Sequence, residues 1–123
     1  MSKRNYSPNA RMVLLPYEDQ MIEVKARLKE YRDHPTREDL RSAVFVPAIL
    51  KPFDGSCEIH LHHLWVLQRH LTSAGCTLHK GRWTNFLGSV YSYRRLGGKS
   101  DERGLKGTWD FGILPVETLN KTL

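Results

Sequence analysis

Apolar residues in this chain come in short blocks punctuated by proline and glycine, and that punctuation limits the elements it can build. The longest apolar run, Ala43 to Leu50, is broken by Pro47 and falls far short of the ~20 residues a membrane-spanning helix needs. The chain has 123 residues, of which 40% are hydrophobic and 26% charged. Those proportions suit one domain with one modest core, and they exclude collagen-like, mucin-like and wholly disordered proteins. The opening Met-Ser-Lys-Arg-Asn-Tyr has no apolar stretch behind its charges, which argues against a secretory signal peptide.

Residues 1–15 mix Ser, Lys, Arg, Asn and Pro and are expected to form a basic flexible arm. Pro16, Glu18 and Asp19 suit a helix start, and Met21, Val24, Leu28 and Tyr31 recur at helical spacing. The spacing predicts a helix over 17–33, ended by His34-Pro35. Thr36-Arg-Glu-Asp39 has the form of a capping box and opens a short helix over 38–43. Val44 to Leu50 is apolar, but Pro47 restricts it to an edge strand or an extended linker. Leu61, Leu64, Trp65, Gln68 and Leu71 form a stripe that predicts a helix over 57–73, with Gly75 as its C-cap. Trp83, Phe86, Leu87 and Val90 predict a third helix over 80–96, closed by Gly97-Gly98. Lys99 to Gly107 reads as a charged loop, and Thr108 to Leu114 alternates like a strand before Pro115.

That order predicts a mainly α fold with a small β component: a winged helix-turn-helix-like single domain over 16–115. The arm 1–15 would precede it and a C-terminal tail, 116–123, would follow.

Charge sharpens the expectation. The formal net charge is +6, and it is unevenly placed. Residues 1–15 contribute +3 through Lys3, Arg4 and Arg11. Residues 76–108 contribute +5, from seven bases (Lys80, Arg82, Arg94, Arg95, Lys99, Arg103, Lys106) against Asp101 and Glu102. Segregated positive charge is the footprint of a polyanion binder. On the predicted third helix, Arg82, Asn85, Ser89 and Ser92 would form an outer stripe able to enter a major groove, with Arg and Asn suited to base edges. Lys80, Arg95, Lys99, Arg103 and Lys106 would lie along phosphates. The leading expectation is thus a DNA-binding regulator or accessory factor acting on duplex DNA. A homodimer through 17–33 would match two-fold sites.

Two alternatives follow from the same residues. Tyr91 and Tyr93 beside Arg94 and Arg95 suit RNA, whose bases stack on rings. The basic face would also suit a protein inhibitor or adaptor docking on an acidic partner. An enzyme ranks last: a metal-independent ribonuclease would have to use His79, Lys80, Arg82 and a tyrosine. His60, His62 and His63 invite a metal reading, but no further ligands stand at zinc-site spacing, so no metal and no cofactor are expected. Cys57 and Cys76 are the only thiols. They flank the predicted 57–73 helix, too far apart to bridge. Free thiols and no export signal point to a reducing, cytoplasmic setting.

Overall fold

Along residues 21–32 every second side chain is enclosed: Ile22, Val24, Ala26 and Leu28 are buried, with charged residues between them. A period of two is the signature of a strand with one face on a core. In the computed structural model, which describes residues 4–8, 10–95 and 106–119, this segment is strand β1 (Met21–Arg32). It is followed by β2 (Ser42–Pro52), β3 (Ile59–Leu61), β4 (Leu64–Leu67), helix α1 (Gln68–Ser73), β5 (Trp83–Arg94) and β6 (Trp109–Thr118). Short 3-10 segments occupy Met12–Tyr17 and Glu38–Leu40.

All strand pairs are antiparallel, in the order β3-β2-β1-β5-β6, with β4 also on β2. β3 and β4 act as one interrupted strand. β3 pairs with Ala48–Leu50 and β4 with Ser42–Phe45, so His62-His63 lies opposite Val46-Pro47. Pro47 has no N–H to donate, and the ladder breaks there. The β1–β2 register also shifts between Ala26 and Leu28, where the partners jump from Ala48 to Phe45.

Counting β3 and β4 as one, three consecutive strands are followed by a fourth, β5, that returns to lie beside the first. This is a Greek key, to which β6 is added as a hairpin, with α1 between the third and fourth strands. The order is that of five-stranded OB-type barrels. Here the sheet curls into a half-barrel whose seam, between β4 and β6, carries no ladder. Phe45, Phe86 and Phe111 fill the core, with Phe45 and Phe86 ring centroids 6.4 Å apart. Leu71 of α1 and Leu14 of the first 3-10 segment are fully enclosed with them.

The mainly α, winged helix-turn-helix expectation is therefore overturned: the chain is mainly β. The helix read over 17–33 is β1, the central strand, whose two edges are both occupied by neighbours, so the helical face proposed for dimer contact does not exist. The helix read over 38–43 is one 3-10 turn and the start of β2. Of the helix read over 57–73, only Gln68–Ser73 is helical. The helix read over 80–96 is β5, with Thr84, Phe86, Gly88 and Val90 facing inward. The strand read at 108–114 is present as β6.

Residues 4–8 and 10–15, read as arm, pack against β6. Tyr6 makes a parallel bridge to Trp109 and stacks on Phe111 at 5.7 Å, and Arg4 lies over the Trp109 ring at 4.7 Å. Cys57 and Cys76 are both free, though no single helix separates them. No helix among the described residues is long and apolar enough to cross a membrane.

Candidate nucleic-acid interface

The β5–β6 hairpin sets Tyr91 opposite Gly112 and Tyr93 opposite Asp110. Odd-numbered residues of β5 point outward, so Tyr91 and Tyr93 share the outer face, their ring centroids 5.9 Å apart. Gly112 is what lets Tyr91 lie across β6. A Cβ at that position would sit 2.8 Å from the Tyr91 ring, closer than any side chain tolerates. Across the open seam, β4 presents Trp65, which is 51% exposed. Trp65, Tyr91 and Tyr93 together line a cleft of about 520 Å³ with Arg11, Arg95 and His63.

Asp110 organises one wall. It is 2% exposed and accepts four hydrogen bonds: from Arg95 Nη2 at 2.9 Å, the Arg11 backbone N–H at 3.0 Å, its neighbour Phe111 N–H at 2.7 Å and the Tyr93 hydroxyl at 3.4 Å. A buried carboxylate must be paired or hydrogen-bonded, and these donors meet that need while fixing Arg95 and Arg11 at the cleft. Burial, then the Asp110 charge, push the Tyr93 phenol above its ordinary value, against the opposing pull of Arg95 and Arg11. Burial likewise raises Tyr91. Both rings are therefore neutral, hydrogen-bonding aromatics at physiological pH.

The cleft continues into a second hollow of about 430 Å³ lined by His60, His62 and His63 with Arg11 and Arg95. The His62 and His63 rings stand edge to face at 5.7 Å. Lost hydration, with Arg11 and His62 beside it, lowers the His63 imidazole below its ordinary value. No group of three or more metal-ligating side chains is formed among the described residues.

The residues expected on one DNA-binding helix are dispersed. Lys80 and Arg82 stand just before β5, while Arg95 and Lys106 flank its other end, with about 36 Å of strand between the two ends. Asn85 and Ser89 lie between them on the strand, and Asn85 Oδ1 is enclosed without a partner rather than free to read a base. Lys99 and Arg103 lie outside the described residues. With β5 a strand, no element of this segment can enter a major groove as a helix. His79, Lys80 and Arg82, named for a ribonuclease, line a different cleft from Tyr91 and Tyr93.

Sequence reasoning missed Arg11, Trp65, His63 and Asp110 as members of one site. One signal was present: Tyr91, Tyr93 and Arg95 follow at i, i+2 and i+4, which marks one face of a strand. Nothing local connects that run to Arg11 or to Trp65. Compared with protein-family models, with curated proteins and with solved structures, the chain matches none of them.

Proposed function

We propose that the protein binds single-stranded nucleic acid, with unpaired bases seated on Trp65, Tyr91 and Tyr93 and phosphates on Arg11 and Arg95. The observation that carries this reading is the convergence of three accessible aromatic rings and two arginines in one cleft. Proteins that hold single strands combine a positive groove with rings on which bases stack. Duplexes hide their base faces, so exposed rings favour unpaired strands. The Greek-key barrel supports the reading by analogy, since OB-type barrels bind oligonucleotides. Fold alone does not establish function, so the weight rests on the side chains.

The test is a fluorescence-anisotropy titration with labelled (dT)12, (rU)12 and a 12-base-pair duplex across a salt series. The single strands should bind more tightly than the duplex, with log K falling against log salt at about 0.7 per phosphate contacted. Tyr91→Ala should weaken single-strand binding by roughly 5- to 150-fold, the range for one lost base-stacking ring. Equal or tighter duplex binding, or no binding to any of the three at low salt, refutes the proposal.

A further inference from the structure

A second aromatic-basic surface lies at the other end of β5. Trp83 is 42% exposed on the outer face, and the ladder places it opposite Arg27, with Asn85 opposite Lys25. Lys25 Nζ stands 5.4 Å from the Trp83 ring centroid. Arg27 Nε donates to the Gly81 carbonyl at 3.1 Å, tying the 79–82 turn to β1. That turn carries His79, Lys80 and Arg82, which line a cleft of about 600 Å³ with Trp83. The lining contains no acid.

Pairing separates these cations from many others in the chain. Arg4, Arg32, Arg37, Arg41, Arg69 and Arg95 each have a carboxylate within reach. Among the described residues, Lys25, Arg27, Lys80 and Arg82 have none within 4 Å. Four unneutralised charges around one accessible indole repel one another in the free protein. A polyanion that brings several phosphates to them relieves that repulsion and releases its own counterions.

We propose that the Trp83 cleft is a second contact for the same nucleic-acid strand: one base stacks on Trp83 while Lys25, Arg27, Lys80 and Arg82 hold flanking phosphates. This rests on the reading of the Trp65–Tyr91–Tyr93 cleft as a single-strand site and extends it. Trp83 and Tyr91 lie eight residues apart on one face of one strand, which is about 26 Å at 3.3 Å per residue. A tetranucleotide then occupies one cleft at a time, and a dodecanucleotide reaches both, within the ~4–16 nucleotides that one such barrel covers.

Calorimetric titration with (dT)4 and (dT)12 at low salt tests the arrangement. Two (dT)4 but only one (dT)12 should bind per chain. Trp83→Ala should reduce the (dT)4 stoichiometry to one and weaken (dT)12 by roughly 5- to 150-fold. Tyr91→Ala should leave one (dT)4 bound, at Trp83. The double variant Lys25→Gln/Lys80→Gln, which keeps every aromatic, should lower the salt slope for (dT)12 by about 1.4, from two lost phosphate contacts. One (dT)4 per wild-type chain, with (dT)12 affinity unchanged in Trp83→Ala and the salt slope unchanged in the double variant, overturns this inference and leaves the first cleft standing. Absence of binding by either oligomer overturns both.

Discussion

Replacing Asp110 with alanine is the sharpest test of how the first cleft is built. The carboxylate accepts from Arg95, from the Arg11 backbone and from the Phe111 backbone, all at 3.0 Å or less. Hydrogen bonds to a charged group contribute about 1.5–3 kcal/mol each, so three of them set a ceiling of about 9 kcal/mol. Two of the donors recover part of that loss. The Arg95 side chain is 26% exposed and can be rehydrated, and the Arg11 N–H stands at the cleft, within reach of water. The Phe111 N–H is buried and finds no substitute, and an orphaned buried donor costs about 1–3 kcal/mol. The net loss works out at about 3 kcal/mol. At roughly 3–5 °C per kcal/mol for a domain this size, Tm should fall by about 10–15 °C.

Urea unfolding followed by circular dichroism measures the loss directly. With a slope near 2 kcal/mol per molar, the midpoint should drop by about 1.5 M while the slope stays constant. Asp110→Asn keeps an acceptor for the Phe111 N–H and should fall between wild type and alanine. Arg95→Met in the alanine background should cost less than the two single changes added together, because the unpaired cation is removed with its partner. A midpoint shift below about 0.5 M for Asp110→Ala would refute the claim that this carboxylate anchors the wall.

Two further outcomes follow from the same structure. A Cβ at Gly88 would run into Ile113 Cγ2 inside the barrel, so Gly88→Ala should cost about 1–3 kcal/mol by overpacking in the same urea assay; an unchanged midpoint would show the β5–β6 hairpin to be looser than described. The lowered His63 pKa means that the fold disfavours its protonated form. Its contribution to stability should decline as pH drops below the ordinary imidazole value of ~6.5. A bound phosphate offsets that penalty, so (dT)12 binding should take up protons and tighten from pH 8 to 5.5. Arg11, Arg95, His60, His62, Asp110, Tyr91 and Tyr93 are the charged and titratable groups that line the two hollows with it. His63→Gln should reduce the uptake measured by calorimetry in two buffers, and an unaltered uptake would refute this role for His63.

The places where sequence reasoning went astray share one cause. In β1, Met21, Val24, Leu28 and Tyr31 satisfy a helical period, but Ile22, Val24, Ala26 and Leu28 satisfy a period of two, and the second set is the buried one. In β5, Trp83, Phe86, Leu87 and Val90 again fit a helix, while Thr84, Phe86, Gly88 and Val90 are the residues that face the core. Small inward residues such as Ala26 and Gly88 hid the alternation, since they carry little hydrophobic signal. They are small because the curled sheet brings opposing side chains close. Gly88 lies against Ile113, a contact set by pairing with a strand more than twenty residues away. β6 was legible because Trp109, Phe111 and Ile113 alternate with no competing period.

Residue content alone established a basic chain of +6 with tyrosines among arginines, which is what led to the expectation of a polyanion partner. Where those groups meet was decided by strand pairing. β5 is extended, so its two basic ends are carried apart and the single positive face inferred from residues 76–108 becomes two clefts. The first of them draws Arg11 from the N-terminal segment and Trp65 from the far side of the seam. Sequence separation says little about such a site, because the curl of the sheet, and not distance along the chain, determines which side chains become neighbours.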